Sequence, residues 1–297
     1  MRIGAKVPNS GPLPAERGIA AMAAELEDAG FESLWVSDHV VMTERIESRY
    51  PFAADGKVTW PSDTPYVDAM VALAAIATAT RRAVIGTAVL VLPQRHPVVL
   101  AKQAASIDVM SGGRLVLGVG AGWLAEEFEA LNVPFASRGS RFVEWMELLR
   151  ACWTGAPAPF EGQHYTLPPG VCCLPRPAHH VPLLVGGHSK VAWRRAGALG
   201  DGWLAHQSAT ALDVEELRAG IAVSQDAAVG VGRDPERLWT TLRIIDSATR
   251  AGVVAGTLAA LAEAGVDEVV VDTDWTTPGA AAATFSALAA AREEVGR

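Results

Sequence analysis

The sequence predicts one domain with the (β/α)8 TIM-barrel fold, with inserted loops after strand 2 and before strand 5. Short β-rich runs alternate with helical patterns along almost the whole chain, and the runs number eight. Alternation of this kind is typical of parallel α/β architecture and not of separate α and β domains. A length of 297 residues suits eight strand-helix units. No low-complexity tract or short-period repeat divides residues 1–297, so a single domain is expected.

The predicted strands are short runs rich in branched and apolar residues, which favour extended backbone. In chain order they are Ile3–Val7, Leu34–Ser37, Ala83–Val91, Leu115–Val119, Pro182–Val185, Gly202–Ala205, Leu238–Ile245 and Glu268–Asp272. The helical patterns between them include Ala15–Ala29, Val67–Thr80, Val98–Met110, Lys190–Leu199, Asp213–Ala228, Val253–Ala264 and Gly279–Glu294. Gly30 and Gly265 each end a helical pattern just before a strand, as C-terminal helix caps do. Gly86, inside strand 3, indicates a bulge or a close approach to the backbone.

Two connections exceed ordinary barrel loops in length. Val41–Tyr66 follows strand 2 and contains three prolines together with Trp60. Because long loops are uncommon unless functional, and this one leaves from the catalytic face, we predict a substrate lid. Gly155–Val181 contains six prolines around the strand-like run FEGQHYTL. It is predicted to form an inserted hairpin with a rigid tail before strand 5.

Composition and charge limit the classes of partner. The net charge is −8, the wrong sign for a protein that depends on neutralising nucleic-acid phosphates or an anionic membrane. Half of the residues are hydrophobic, enough for a substantial core, yet no apolar run is long enough to span a bilayer. The three cysteines do not form a disulfide framework pattern, and the N-terminus lacks a signal-like apolar run. We therefore expect a cytoplasmic protein that acts on a small molecule.

Strand 2 ends at polar residues that could carry chemistry, because barrel sites form at the carboxyl ends of strands. Ser37, Asp38 and His39 stand at this end. A histidine there can transfer a proton near neutral pH, and an adjacent carboxylate can bias its charge. We predict that His39 is the acid-base residue and that Asp38 sets its state. The alternative is a hydrogen-bonded hinge pair without a role in chemistry.

Glycine-rich turns follow strands 4 and 5. The run GVGAGW (118–123) would let a ligand lie on bare backbone beside Trp123, although it lacks the full GxGxxG fingerprint and a generic tight turn is the alternative. After strand 5, Gly186, Gly187, His188 and Ser189 stand at the start of a helix. Free N–H groups and the helix dipole make that position suitable for a phosphate. An ordinary serine N-cap is the alternative there.

Other enzyme classes are less well supported. Four of the seven histidines lie at or near strand ends, a pattern that would suit a metal-dependent hydrolase. Such barrels begin with a His-x-His pair after strand 1, where this chain has Val7-Pro8-Asn9, and no carboxylate cluster gathers at the other ends. No metal site is therefore predicted. The GxSxG elbow of α/β-hydrolases is absent from the sequence as well.

Taken together, the motifs resemble the luciferase-like monooxygenase superfamily, and within it the bacterial oxidoreductases that use the deazaflavin coenzyme F420. The matching blocks are FESLWVSDHV (31–40), VIGTAVLVLPQRHPVVLAKQAASIDVMSGGRLVLGVGAGW (84–123) and VGGHSKVAWRRAGALGDGW (185–203). They cover roughly the first two-thirds of the chain in the expected order. The middle block is specific because it combines PQRHP, SGGR and GVGAGW; the last third of the chain matches only as a barrel.

The resemblance implies that the coenzyme ring lies at the strand carboxyl ends, with His39 near its reactive carbon. It also implies a non-proline cis peptide at Ala88-Val89, forming a bulge in strand 3, and a phosphate held by Gly186–Ser189. The coenzyme-binding residues predicted in this way and from the motifs above are Asp38, His39, Ala88, Val89, Ala121, Gly122, Trp123, Gly186, Gly187, His188 and Ser189.

The activity expected from the resemblance is hydride transfer between F420 and a small organic substrate. Two alternatives stay open: an FMN-dependent monooxygenase using reduced flavin and O2, and a non-catalytic coenzyme-binding protein. Sugar-phosphate dehydrogenase relatives carry an acidic residue where Trp123 stands, while Glu126 and Glu127 are expected on the following helix. Trp123, with Trp60 and Trp203, indicates a flatter and less polar substrate. Relatives are commonly dimers, so a homodimer is expected.

Overall fold

The computed structural model describes residues 1–51, 53, 55–58 and 60–295. Its strands are short and mostly buried. In chain order they are β1 (Arg2–Lys6), β2 (Ser33–Val36), β3 (Val84–Val91), β4 (Leu115–Gly120), β5 (Phe160–Glu161), β6 (Thr166–Leu167), β7 (Leu183–Gly186), β8 (Gly202–Ser208), β9 (Trp239–Ile245) and β10 (Glu268–Val271).

The helices alternate with the strands. They are α1 (Leu13–Arg17), α2 (Ile19–Ala29), α3 (Ala69–Ala79), α4 (Pro97–Ser111), α5 (Ala125–Ala130), α6 (Arg138–Trp153), α7 (Lys190–Ala198), α8 (Val214–Gly230), α9 (Ala251–Glu263) and α10 (Ala280–Val295). The predicted helix over Ala15–Ala29 is wrong at its start. Gly18 adopts φ 77°, a conformation that ends α1 and separates it from α2.

Eight parallel strands close into a barrel in the order β1-β10-β9-β8-β7-β4-β3-β2. The predicted (β/α)8 fold is confirmed, and each predicted strand lies within a few residues of an observed one. The predicted hairpin is also confirmed: β5 and β6 pair antiparallel, with Phe160 opposite Leu167. Within the part of the chain that the structure describes, no helix is both long and apolar enough to cross a bilayer.

Side chains fill the interior of the barrel and close it below its carboxyl end. Trp35, Val116, Leu184, Leu204 and Val270 form a buried cluster inside it. A Cβ atom added at Gly86 would lie only 2.7 Å from the Trp35 ring, which accounts for the glycine that the sequence places inside strand 3. Because these side chains fill the barrel interior, the space for a ligand lies at the carboxyl end of the barrel.

Candidate active site

A cavity of about 520 Å³ opens at the carboxyl ends of the strands. Ten of the eleven predicted coenzyme-binding residues line it: Asp38, His39, Ala88, Val89, Ala121, Gly122, Trp123, Gly186, Gly187 and Ser189. The volume falls within the roughly 300–1,000 Å³ that small-molecule sites occupy. The positions picked from the sequence therefore converge on one site, although their contacts with a coenzyme stay a prediction.

His39 is held by a glutamate that the sequence analysis set aside. Its Nδ1 lies 3.1 Å from Oε2 of Glu127, and the Glu127 side chain is 1% exposed. The other carboxylate oxygen accepts hydrogen bonds from the amides of Val40 (2.6 Å) and Val41 (3.2 Å). Glu127 does lie on the helix after strand 4, as expected, but that helix is short and points the carboxylate back at the end of β2. One side chain thus fixes both the imidazole and the start of the following loop.

The charge of Glu127 follows from these contacts. Burial alone would raise its pKa, but the hydrogen bond and charge of His39 and the amide of Val40 outweigh burial and lower the pKa below its ordinary value. An ionised carboxylate beside Nδ1 favours the imidazole tautomer that carries its proton on that nitrogen. Nε2 is then the nitrogen that remains for a ligand.

Asp38 has a different role from the predicted one. Its Oδ1 pairs with Nη2 of Arg95 at 2.6 Å, and its Oδ2 accepts the amide of Val91 at 3.0 Å. Arg95, from the PQRHP motif, also reaches Asp68 at 2.8 Å, the residue that caps α3. The prediction that Asp38 sets the state of His39 is therefore wrong, because Glu127 occupies that position. Asp38 instead ties the ends of β2 and β3 together.

The predicted bulge in β3 is present. The Ala88-Val89 peptide bond is cis, and the pairing of β3 with β4 shifts register between Thr87 and Leu90. Added Cβ atoms at Gly120 and Gly186 would lie 2.9 Å and 2.7 Å from the methyl groups of Val89. These two glycines are required by the Val89 side chain, which already fills the space that their own side chains would need. We call Ala88, Val89, Gly120, Gly186 and Gly187 the glycine wall.

The start of α7 faces the cavity as predicted. Ser189 is its N-cap, with Oγ accepting the amide of Ala192 at 3.2 Å, and Gly187 adopts φ 119° just before it. Arg195, one and a half turns along the helix, also lines the cavity. A helix N-terminus with a glycine approach and a nearby guanidinium suits an anion. The ordinary N-cap and the anion site are thus compatible, since capping uses Oγ as acceptor and leaves its hydrogen to donate.

The His188 side chain is turned away from the cavity. Its Nδ1 lies 3.1 Å from Glu216, and its Nε2 accepts the amide of His206 at 2.9 Å. The His188 ring also packs edge-on against Trp203, 5.6 Å between centroids. If His188 contacts the coenzyme as predicted, it does so through its backbone and not through its side chain.

Aromatic rings enclose His39 on the solvent side. The rings of Tyr66, Trp123 and Trp60 have centroids 5.3, 6.1 and 6.2 Å from the imidazole. Tyr50 packs against both tryptophans, and burial raises its pKa to about 12. Tyr50, Trp60 and Tyr66 come from the long connection after β2, so this segment covers the site as a lid would.

Trp203, by contrast, is not a wall of the cavity. It is 1% exposed, its Nε1 donates to the carbonyl of Gly187 at 2.8 Å, and its ring packs on Trp193. The expectation that it contacts substrate is wrong, because its position in β8 directs the ring outward against α7 and α8.

Sequence reasoning missed Lys6, Arg243 and Asp272, a charged part of the lining. Together with Ser37, which the sequence did indicate, they form what we call the charged wall, at the carboxyl ends of β1, β2, β9 and β10. The three could have been found by extending the search to polar residues at the last positions within those strands. The cavity as a whole offers an oriented imidazole, an anion position at α7, an apolar bulge and the two cations Lys6 and Arg243. This set suits redox or proton-transfer chemistry on a bound small molecule.

Comparison with known proteins gives two relatives of interest. Rv0940c of Mycobacterium tuberculosis (strain ATCC 25618 / H37Rv), described as uncharacterized, is 37% identical over 183 residues, 62% of this chain and 63% of the relative. An F420-dependent glucose-6-phosphate dehydrogenase of Nakamurella multipartita is 33% identical over 195 residues, 63% of this chain and 51% of that protein. The matched region thus spans less than two thirds of the length of either relative.

A solved structure shares the fold over the full chain. The F420-dependent secondary alcohol dehydrogenase in complex with an F420-acetone adduct has a TM-score of 0.76 at 19% sequence identity, over 98% of each chain. The family model described as Luciferase-like monooxygenase matches residues 2–255, from the first residue of β1 into α9. The family predicted from the motifs is confirmed: this chain belongs to the luciferase-like monooxygenase family.

Proposed function

We propose that the protein is an oxidoreductase that binds coenzyme F420 in the cavity and moves a hydride between the deazaflavin ring and a small organic substrate. One observation carries the proposal: His39, the β3 bulge and the N-terminus of α7 open into the same cavity. The Nakamurella multipartita relative and the solved secondary alcohol dehydrogenase are both described as F420-dependent, which supports this choice of coenzyme.

The residues present fit such a coenzyme. F420 carries a phosphate on a ribityl chain, and the start of α7 with Arg195 offers N–H groups and a positive charge for it. Ala88 and Val89 offer an apolar surface against which a flat ring can lie. The indole Nε1 of Trp60, a residue of the cavity lining, is buried without a hydrogen-bond partner among the described residues, so this side of the site holds an unpaired donor.

When bound, the deazaflavin would supply two-electron hydride chemistry, and the protein would orient it and handle the proton. His39 would hold or deliver that proton through Nε2 at the substrate oxygen, since Nδ1 faces Glu127. Glu127 would orient the imidazole through its contact with Nδ1. The rings of Tyr50, Trp60 and Trp123 would exclude water from the reacting atoms.

The first test is a fluorescence titration of the apoprotein with oxidised F420 and, in parallel, with FMN at matched ionic strength, because both ligands are anionic. The proposal requires much tighter binding of F420. Preference for FMN would overturn it in favour of the flavin monooxygenase. Tight F420 binding with no turnover over a broad panel of substrates would instead favour a coenzyme-binding protein without catalysis.

Two further expectations stay predictions from the sequence. The homodimer rests on the resemblance to dimeric relatives and is tested by the mass measured in light scattering. The cytoplasmic location rests on composition and is tested by fractionation of the source cells.

A further inference from the structure

The three charged residues of the charged wall lie on the opposite side of the barrel from the glycine wall, while Ser37 at the end of β2 stands between the two. In the closed order of strands, β1, β10 and β9 are neighbours, and β10 stands four places from β4 in either direction. Lys6 and Arg243 project from this side, while Val89, Gly120 and Gly186 stand on the other. A ligand against the glycine wall therefore leaves the charged wall to a second molecule in the same cavity.

Hydrogen bonds hold the two cations of this wall in place. Lys6 Nζ donates to Oγ of Ser37 at 2.9 Å. Arg243, 4% exposed, donates to the carbonyl of Ile244 at 2.6 Å and pairs with the Asp272 carboxylate. Among the described residues, Lys6 forms no ion pair with a carboxylate, so two of its three N–H bonds are available to a ligand.

The charge of the wall does not balance. Two cations stand against one carboxylate, and His206 on β8 adds no charge, because burial and the neighbouring Arg243 lower its pKa to about 3. Burial, and then Arg243, lower the pKa of Lys6 to about 8, so the ammonium form still predominates at neutral pH. A net positive charge in a site shielded from water favours an anion, and the pairing would be charge-assisted.

The aromatic rings of the cavity lie beside the positive charge of the charged wall. Tyr50 lies within electrostatic reach of Arg243, and its ring centroid is 5.2 Å from that of Trp60 and 5.1 Å from that of Trp123. A molecule that pairs with Lys6 would thus extend its body along aromatic faces. Flat apolar bodies suit such faces.

We propose that the substrate is a small carboxylic acid whose carboxylate pairs with Lys6 and whose planar apolar body packs against Tyr50 and Trp60. This substrate class rests on the proposed function, since it assigns the part of the cavity that the coenzyme leaves free. Lys6 is then a specificity-determining residue, and Arg243 with Asp272 positions it electrostatically.

The test compares two planar probes that differ in charge, benzoate and benzamide, by quenching of tryptophan fluorescence with and without F420. Wild-type protein should bind benzoate about tenfold or more tightly than benzamide. Lys6→Met should remove that preference and leave benzamide affinity unchanged. Lys102→Met, which alters an exposed lysine on α4, should keep the preference. Equal affinities in the wild type, no saturable benzoate binding, or a preference that survives Lys6→Met would each overturn the proposal.

A measurement without any substitution covers the case in which Lys6→Met fails to fold. Benzoate affinity of the wild type should fall as pH rises above about 8, because Lys6 loses its proton, while benzamide affinity stays constant. Arg243 and Asp272 are the charged groups that act on Lys6, and the pKa values of His206 and Tyr50, about 3 and about 12, lie outside this range. A flat benzoate profile up to pH 10 contradicts the role of Lys6.

The outcomes separate this proposal from the coenzyme proposal. Benzoate preference in a protein that does not bind F420 keeps the carboxylate site and overturns the proposed function. F420 binding without a benzoate preference keeps the coenzyme-binding proposal and overturns the carboxylate site.

Discussion

The two walls of the cavity use different physics. The glycine wall presents backbone and small side chains, and its shape is set by Val89 filling the space beside Gly120 and Gly186. The charged wall presents Lys6 and Arg243, whose positions depend on hydrogen bonds and whose charges exceed that of Asp272. One wall can discriminate by shape and the other by charge. His39 lies between them, held by a carboxylate from neither wall.

The largest effect should come from His39→Ala, which removes the group placed between the walls. We expect kcat to fall by about 10²–10⁴-fold, the usual contribution of a general acid or base. The Kd for F420 should change little, because the glycine wall and α7 stay intact. Stopped-flow turnover and a coenzyme titration measure the two quantities. His180→Ala, an exposed histidine just before β7, is the control, and unchanged turnover in His39→Ala would exclude the acid-base role.

Gly186→Ala tests the shape of the glycine wall. Its new Cβ would lie 2.7 Å from a Val89 methyl, so the free energy of unfolding should fall by about 1–3 kcal/mol, as overpacking usually costs. F420 binding should weaken with it. Adding Val89→Ala should recover part of the lost stability and part of the lost F420 affinity. A double-mutant cycle measures the first by urea unfolding and the second by coenzyme titration. Gly256→Ala on α9, with nothing near the added Cβ, should be neutral or stabilising, and additive losses would show that Val89 does not set this shape.

Glu127→Gln tests the positioning of His39 without removing it. The amide keeps the size of the side chain but loses the negative charge, so we expect kcat to fall by about tenfold. The Kd for F420 should change little, because the glycine wall and α7 stay intact. Glu129→Gln, exposed on the same helix, should leave kcat unchanged. An unchanged kcat in Glu127→Gln would mean that Glu127 does not position His39, and a parallel loss of kcat and F420 binding would assign it a purely structural role.

The smallest effect concerns stability at alkaline pH. The folded pKa of Lys6, about 8, lies below its ordinary value of 10.5, so between these pH values the unfolded chain binds more protons than the native protein. Stability relative to Lys6→Met should therefore rise from pH 8 to 10.5, because the unfolded chain keeps the proton that the native protein has lost. Urea unfolding of both proteins at stepwise pH measures the difference. A constant difference would mean that folding does not shift this pKa.

Local patterns carried much of the fold and part of the site. Strand-end positions such as His39 and Ser189 follow from periodicity and barrel topology, and the bulge at Ala88-Val89 followed from the resemblance. Pairings between distant segments did not follow. Glu127 reaches His39 across 88 positions, and Arg95 reaches Asp38 across 57, so the partner of each side chain depends on how short helices and loops dock.

Trp203 illustrates the same limit on a single strand. Successive residues along β8 face alternately inward and outward. Because both faces of a barrel strand are apolar, the sequence pattern does not tell which residues face the barrel interior. Lys6 and Arg243 were overlooked for a related reason, since each lies inside a strand and not beyond its end.

The first turn of α5 fastens the connection after β2 at two places. Glu127 accepts the amides of Val40 and Val41, and Glu126 accepts those of Glu47 and Ser48. The carboxylate that orients His39 is therefore also an anchor of the segment that covers the cavity, so the cover and the imidazole share one point of attachment.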